Sequence, residues 1–302
     1  MNNEQEEQYQ KALKLMTEEK WLKAASLLED LLNQVPSDDV TKSLVLALYR
    51  GKQYARAFVY LVEQPAVFAA DQPNARLAVH LLLHNQSYIS ARLFIAGLPA
   101  GWQDELIQLV EEGERDARQK FQTTIQTELR SFYHLGDCSL NEQQERLSEA
   151  QQLPLDEYLT GAQFLLRDPF THQLIKASIV DTLRQIGIEK EMVIRWIDGK
   201  EYSFVPGDLL SIDDLGLVQA LRNELTNELG NHNPSELQLA NQELQMQLML
   251  LYPLINNQID DVKEWIRCLI MRIRGEKGKV NPKVMATQEE LTRIIDDLSE
   301  KH

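Results

Sequence analysis

Only two cysteines occur in 302 residues, Cys138 and Cys268, and they lie 130 positions apart. That excludes a disulfide framework and every zinc or redox spacing, and it reads as two free thiols in a reducing compartment. Long hydrophobic runs are missing as well. The best stretches, LAVHLLLH and LMLLYPLI, are interrupted well short of the roughly 18 residues that a membrane-spanning helix requires. The opening MNNEQEEQYQ has neither the basic nor the apolar region of a secretory signal, so a cytoplasmic location is expected. Basic charge is scarce too: 31 basic against 46 acidic side chains give a formal charge of −15, which repels a phosphate backbone and argues against general nucleic-acid binding.

Catalytic signatures are equally thin. No G-x-S-x-G elbow and no distinctive Cys/His arrangement occurs, and carboxylates are too common in so acidic a chain for any pair to be informative. His80 and His84 stand four apart, but HLLLH lacks the glutamate of the zinc-protease helix. GEKGK at 275–279 lacks the glycine spacing and closing Ser/Thr of a phosphate loop and reads as a charged linker. The adjacent aspartates at 213–214 and 260–261 point in different directions on a helix, so they read as helix caps and not as a metal site. Neither a cofactor nor an enzymatic activity is expected.

What is present is a composition that folds. At 43% hydrophobic and 25% charged, the chain resembles ordinary globular proteins, and its length suits about two domains. At this size folding buries roughly three quarters of the unfolded surface, so the core needs no staple.

The first hundred residues carry an internal period. KWLKA at 20–24, QYARA at 53–57 and SYISA at 87–91 each place an aromatic three positions before an alanine, so Trp21, Tyr54 and Tyr88 recur at 33 and 34 residues, as do Ala24, Ala57 and Ala91. Each segment follows an apolar helical stretch and a polar or glycine turn and precedes a second apolar helix; Pro36, Pro65 and Pro99 mark the stops. Alanine lets paired helices approach closely, while the aromatic fills the wedge beside the turn.

On these residues, 5–100 resembles the tetratricopeptide repeat family, with Ala12, Ala24, Leu28, Leu31 and Pro36 on the signature positions of the first repeat. It departs from that pattern at Val45 and Val79, which replace the small residue of the first helix, and in having no leading tryptophan. The resemblance implies a helical solenoid whose concave face receives a peptide or helix from another protein. Carried over position by position, the groove is Tyr9, Leu13 and Met16, then Lys42, Leu46 and Tyr49, then Arg76, His80 and Leu83. Tyr9, Leu13 and Leu77 occupy positions where the chaperone-binding members carry clamp residues, so no terminal-carboxylate clamp is expected.

Residues 101–135 read as a long capping and connecting helix from Trp102 to His134, or as two helices broken near Gly113. Residues 136–302 read as a second, mostly helical domain, with helical patterning over 141–152, 155–167, 171–186, 213–229, 235–256 with a break at Pro253, 258–274 and 287–299. Asn233 and the residues after it read as a helix start. Within this domain VIRWI and KEYSFV, joined by Asp198-Gly199, predict a β-hairpin over 192–205 with a type I′ turn, either packed on helices or offering an edge. This half loosely resembles uncharacterised repeat proteins of low-GC Gram-positive bacteria, a likeness that implies no activity.

The fold class expected is therefore all-α with one short hairpin, and the function expected is a protein-binding scaffold with an unidentified protein or peptide partner. The alternative is a nucleic-acid-associated regulator using residues 262–283, where seven basic side chains face two acidic ones. Those cations equally suit the end of a helix, where they complement its dipole.

Overall fold

The computed structural model describes residues 1–230, 234–276 and 278–299, with side chains as far as residue 295. Among the described residues seventeen α-helices, four short 3-10 turns and one two-stranded antiparallel sheet make up the regular structure, the all-α class with a small hairpin that the patterning predicts. The chain divides into two compact units, Met1–Phe132 with Ser148–Gly161, and Tyr133–Leu147 with everything from Ala162 onward.

The first unit is a succession of helical hairpins: α1 (Asn3–Thr17) with α2 (Trp21–Gln34), α3 (Asp38–Arg50) with α4 (Tyr54–Glu63), and α6 (Gln72–His84) with α7 (Tyr88–Ala96). A single-turn α5 (Pro65–Phe68) precedes α6. Pro65 thus opens a turn as its first residue, where its missing N–H costs nothing, and the turn exists to bury Phe68 completely. Each helix packs on the next, and the first helices also touch in series, α1 on α3, α3 on α6, α6 on α8 (Ala100–Lys120). Ala12, Ala24, Ala57 and Ala91 are fully buried where these helices meet.

The period extends to the backbone. Glu19, Lys52 and Gln86 close the first helix of each hairpin in the left-handed region, at φ of 57, 59 and 56°. After each, the next N–H reaches back to the last turn, from Lys20 to Leu15, Gln53 to Leu48 and Ser87 to Leu82, at 2.8–2.9 Å. This is the Schellman arrangement usually made with glycine. A glutamate, a lysine and a glutamine adopt it here at about 1 kcal/mol or more apiece.

The long helix is two: α8 ends at Lys120 and α9 (Gln122–Tyr133) begins after Phe121, not at Gly113. Gly113 lies inside α8 because a Cβ there would sit 3.0 Å from a Leu83 methyl, so this glycine serves close packing. The break at Phe121 turns that ring outward, 42% exposed, and lets α9 bury its own face, Ile125 and Phe132. Phe132 stacks on Tyr158 with ring centres 5.3 Å apart.

After α10 (Leu140–Glu149), α11 (Leu155–Arg167) belongs to the first unit up to Gly161 and to the second beyond it. The second unit continues through α12 (Gln173–Gln185), strands β1 (Met192–Arg195) and β2 (Glu201–Phe204), α13 (Gly216–Leu229), α14 (Pro234–Leu251), the short α15 (Ile255–Gln258), α16 (Val262–Arg274) and α17 (Pro282–Ser299). Its core holds the fully buried Trp265, whose indole N–H donates to Gln247 Oε1 at 3.1 Å, while Gln288 Nε2 donates to the Trp265 carbonyl at 2.9 Å. Pro253 separates α14 from α15 as predicted.

Two local expectations change. The hairpin is present with Met192 opposite Phe204 and Arg195 opposite Glu201, but its turn is not type I′. Trp196 C=O accepts from Gly199 N–H and Trp196 N–H donates to Lys200 C=O, both at 2.9 Å; only Gly199 has positive φ, at 76°. That is a type I turn centred on Ile197-Asp198 with Gly199 as the bulge residue. The two strands lie on helices, since Gln163 Nε2 donates to the Val193 carbonyl and Met192 and Ile194 are fully buried. Asp213 and Asp214 precede α13 in a 3-10 turn, where Ser211 supplies the cap and Asp213 pairs with Arg222 at 2.7 Å. Asp261 does cap α16, accepting the Glu264 N–H at 3.0 Å. Asn233, named as a cap for α14, lies outside the described residues.

Candidate functional site

The nine residues placed in the groove by resemblance all lie on first helices, Tyr9, Leu13 and Met16 on α1, Lys42, Leu46 and Tyr49 on α3, Arg76, His80 and Leu83 on α6. All are half-buried except the exposed Arg76. Tyr9, Met16, Leu46, Tyr49 and Leu83 pack against the buried core of the unit.

Polar bonds run from each first helix to the next. Tyr9 Oη shares a hydrogen bond with Ser43 Oγ at 2.9 Å, Lys42 pairs with Asp71 at 3.4 Å, and Arg76 pairs with Glu105. Both predicted groove cations therefore already face a carboxylate of the neighbouring helix. They bridge neighbouring first helices as partly exposed surface pairs and offer little net charge to an incoming anion. Asp71 is held below the usual carboxylate range by its bonds from Asn74 and Lys42.

Around the ends of α3 and α6 the face is aromatic. Tyr54 and His84 stack at 3.9 Å with planes 8° apart, and Tyr49 lies 5.7 Å from His84 and 6.4 Å from His80. Burial, then the charges of Arg76 and His84, hold His80 below the ordinary imidazole value; burial alone does so for His84, and burial raises the Tyr49 phenol. Because both imidazoles bind protons less readily folded than unfolded, the unit is most stable above their ordinary value and loses stability as pH falls through it. The thermal midpoint is expected to drop between about pH 7.5 and about pH 5.5, around the ordinary imidazole value of about 6.5. In His80→Gln that slope should flatten; an equally steep slope in the variant would exclude the cluster as its source.

The second unit contains a cavity of about 570 Å³ framed by the segment 136–143, the start of α12 and the hairpin turn. Sequence reading did not single out its polar lining. Lys176 is only 3% exposed, donates to the Arg195 carbonyl at 2.9 Å and forms no ion pair among the described residues. Burial pulls its pKa down to about 8, against the pull of Asp168 and with the repulsion of Arg195. Trp196 and Gln173, 4% and 7% exposed, also line the cavity, and the indole Nε1 and the amide Nε2 are buried without a protein partner among the described residues.

The cations of 262–283 are largely engaged. Arg272 pairs with Glu243 at 3.1 Å, Lys283 with Asp260 at 3.1 Å, Arg274 with Glu236, and Arg267 donates to the Lys279 carbonyl. Arg272 and Arg274 occupy the last turn of α16, whose end is closed by left-handed Gly275, so they also complement the helix dipole. Lys277 lies outside the described residues. Among the described residues no three His, Cys, Asp or Glu side chains gather as a metal site would need, and no helix is long and apolar enough to cross a membrane.

No protein-family model matches the chain, and neither a curated protein nor a solved structure matches it.

Proposed function

We propose that the chain is a cytoplasmic protein-binding scaffold, with residues 5–100 a short tetratricopeptide-like array and no catalytic role. The observation that carries this reading is the series α1, α3, α6 and α8, laid side by side and cross-linked by Tyr9–Ser43, Lys42–Asp71 and Arg76–Glu105. Such a row holds its helices at fixed spacing and presents one continuous face, which suits an extended or helical segment of another protein. With its cations paired and its surface made of Leu13, Leu46, Tyr49 and His80, that face suits a partner with apolar and aromatic side chains better than an acidic one. The paired cations of 262–283 give the nucleic-acid reading no comparable support.

A photo-crosslinking residue at Leu13 on α1 is expected to capture a discrete partner, and the same residue at exposed Ser26 on α2 to capture none. Leu13→Glu should abolish co-purification of that partner. Equal capture from both helices, or an unchanged partner in Leu13→Glu, would refute the assignment.

A further inference from the structure

We infer that the cavity of the second unit is a binding site for a small oxyanion, a carboxylate or a phosphate ester, carried on a flat apolar body. The inference is independent of the scaffold reading and concerns other residues.

Three observations converge on it. The unused hydrogen-bonding capacity at the cavity is donor capacity. An indole N–H can only donate, and an ammonium has three protons of which Lys176 commits one to the Arg195 carbonyl. The neighbouring acceptors are already engaged: Gln143 Oε1 takes the His172 N–H, and Asp168 takes the Thr171 hydroxyl and the Phe170 N–H. A ligand that satisfies this lining must bring acceptors, and it must bring negative charge to match an ammonium that is 97% removed from solvent and unpaired.

The backbone agrees. Lys176 and Gln173 stand in the first turn of α12, a helix of 13 residues whose N-terminus opens at the cavity. His172 caps this end by accepting the Leu174 N–H at 3.1 Å, and the helix dipole adds to the preference for an anion. Lys176 touches the carbonyl of Arg195, the residue before Trp196, so α12 and the hairpin meet at this cavity and both line it.

The rest of the lining defines the body. Leu140, Ile197 and Ile294 give an apolar wall, and Phe170 stands at the rim with 72% of its surface exposed, a free face for a planar ring. About 570 Å³ is far more than a bare oxyanion fills and is within the range of small-molecule sites.

The test uses the full chain labelled with ¹⁵N-tryptophan, the Trp196 indole signal being identified by its loss in Trp196→Phe. Titration with phenyl phosphate, benzoate and uncharged benzyl alcohol should move that signal saturably with one or both anions at millimolar concentration and leave it in place with the alcohol. The stronger of the two anions separates a phosphate ester from a carboxylate. Lys176→Met is expected to weaken the anion about tenfold or more, the loss of one charge-assisted bond. Because a core substitution can unfold the unit, Phe170→Ala at the exposed rim supplies the second variant, expected to weaken several-fold whichever aromatic anion binds. A stationary Trp196 signal, an equal response to benzyl alcohol, unchanged affinity in a folded Lys176→Met chain, or unchanged affinity in Phe170→Ala each overturns the inference.

Discussion

Glu114→Ala is expected to destabilise the first unit by about 3–5 kcal/mol. Glu114 on α8 is 4% exposed and forms a two-pronged ion pair with Arg92 on α7, itself 9% exposed, at 3.0 Å on both prongs. Its Oε1 also accepts the backbone N–H of Leu155, at the start of α11. Truncation leaves a guanidinium in the interior with no counter-charge, and that stranded charge accounts for most of the loss. Replacing both partners together, Arg92→Met with Glu114→Leu, is expected to recover all but about 1 kcal/mol, the remainder being the orphaned Leu155 N–H. Urea unfolding followed by circular dichroism measures both variants. A single variant within about 1 kcal/mol of the parent would show that water reaches the pair.

Trp265→Ala is expected to cost the second unit about 4 kcal/mol, from a large cavity and from loss of the donor to Gln247. The indole is completely buried between α14, α16 and α17, and Gln247, also fully buried, additionally donates to Glu243 at 3.2 Å, which accepts from Arg272. Removing the ring therefore disturbs a polar network as well as an apolar core. Gln247→Leu tests the network alone and should lose about 1–3 kcal/mol by stranding the indole N–H. If Gln247→Leu matches the parent in the same urea experiment, the network contributes nothing beyond packing.

The helices were legible because apolar spacing and proline stops act locally. Residues 155–167 were bounded correctly from pattern alone, and the recurrence of an aromatic before an alanine located three hairpins. What depends on a neighbour was not legible. Gly113 looks like a helix breaker until Leu83 is seen against it, and Phe121 fits the helical stripe that it in fact interrupts. Arg92 and Glu114 are 22 residues apart, and a charged residue on an amphipathic helix reads as solvated until its partner is placed. The groove positions all fall on first helices, but the pairing of Lys42 and Arg76 depended on Asp71 before α6 and Glu105 on α8. The cavity residues come from separate segments and have no common spacing. One signal was available: Lys176 shares a helical stripe with Ile179, Val180 and Leu183, all buried, and a lysine on an apolar face asks for a reason.

The matched turns at Glu19, Lys52 and Gln86 also set the unit in which this part of the chain can change length. A segment cut from one such turn to the next carries the second helix of one hairpin and the first of the following one, with α5 between them in the later segment, so its removal or duplication lets the flanking helices meet similar surfaces. One residue gained or lost inside a helix instead rotates everything after it by about 100° and carries Ala57 or Ala91 away from the contact that needs a small side chain. Whole steps of 33 or 34 residues, the distances between these turns, are therefore the changes of length that leave the contacts inside the helices as they are.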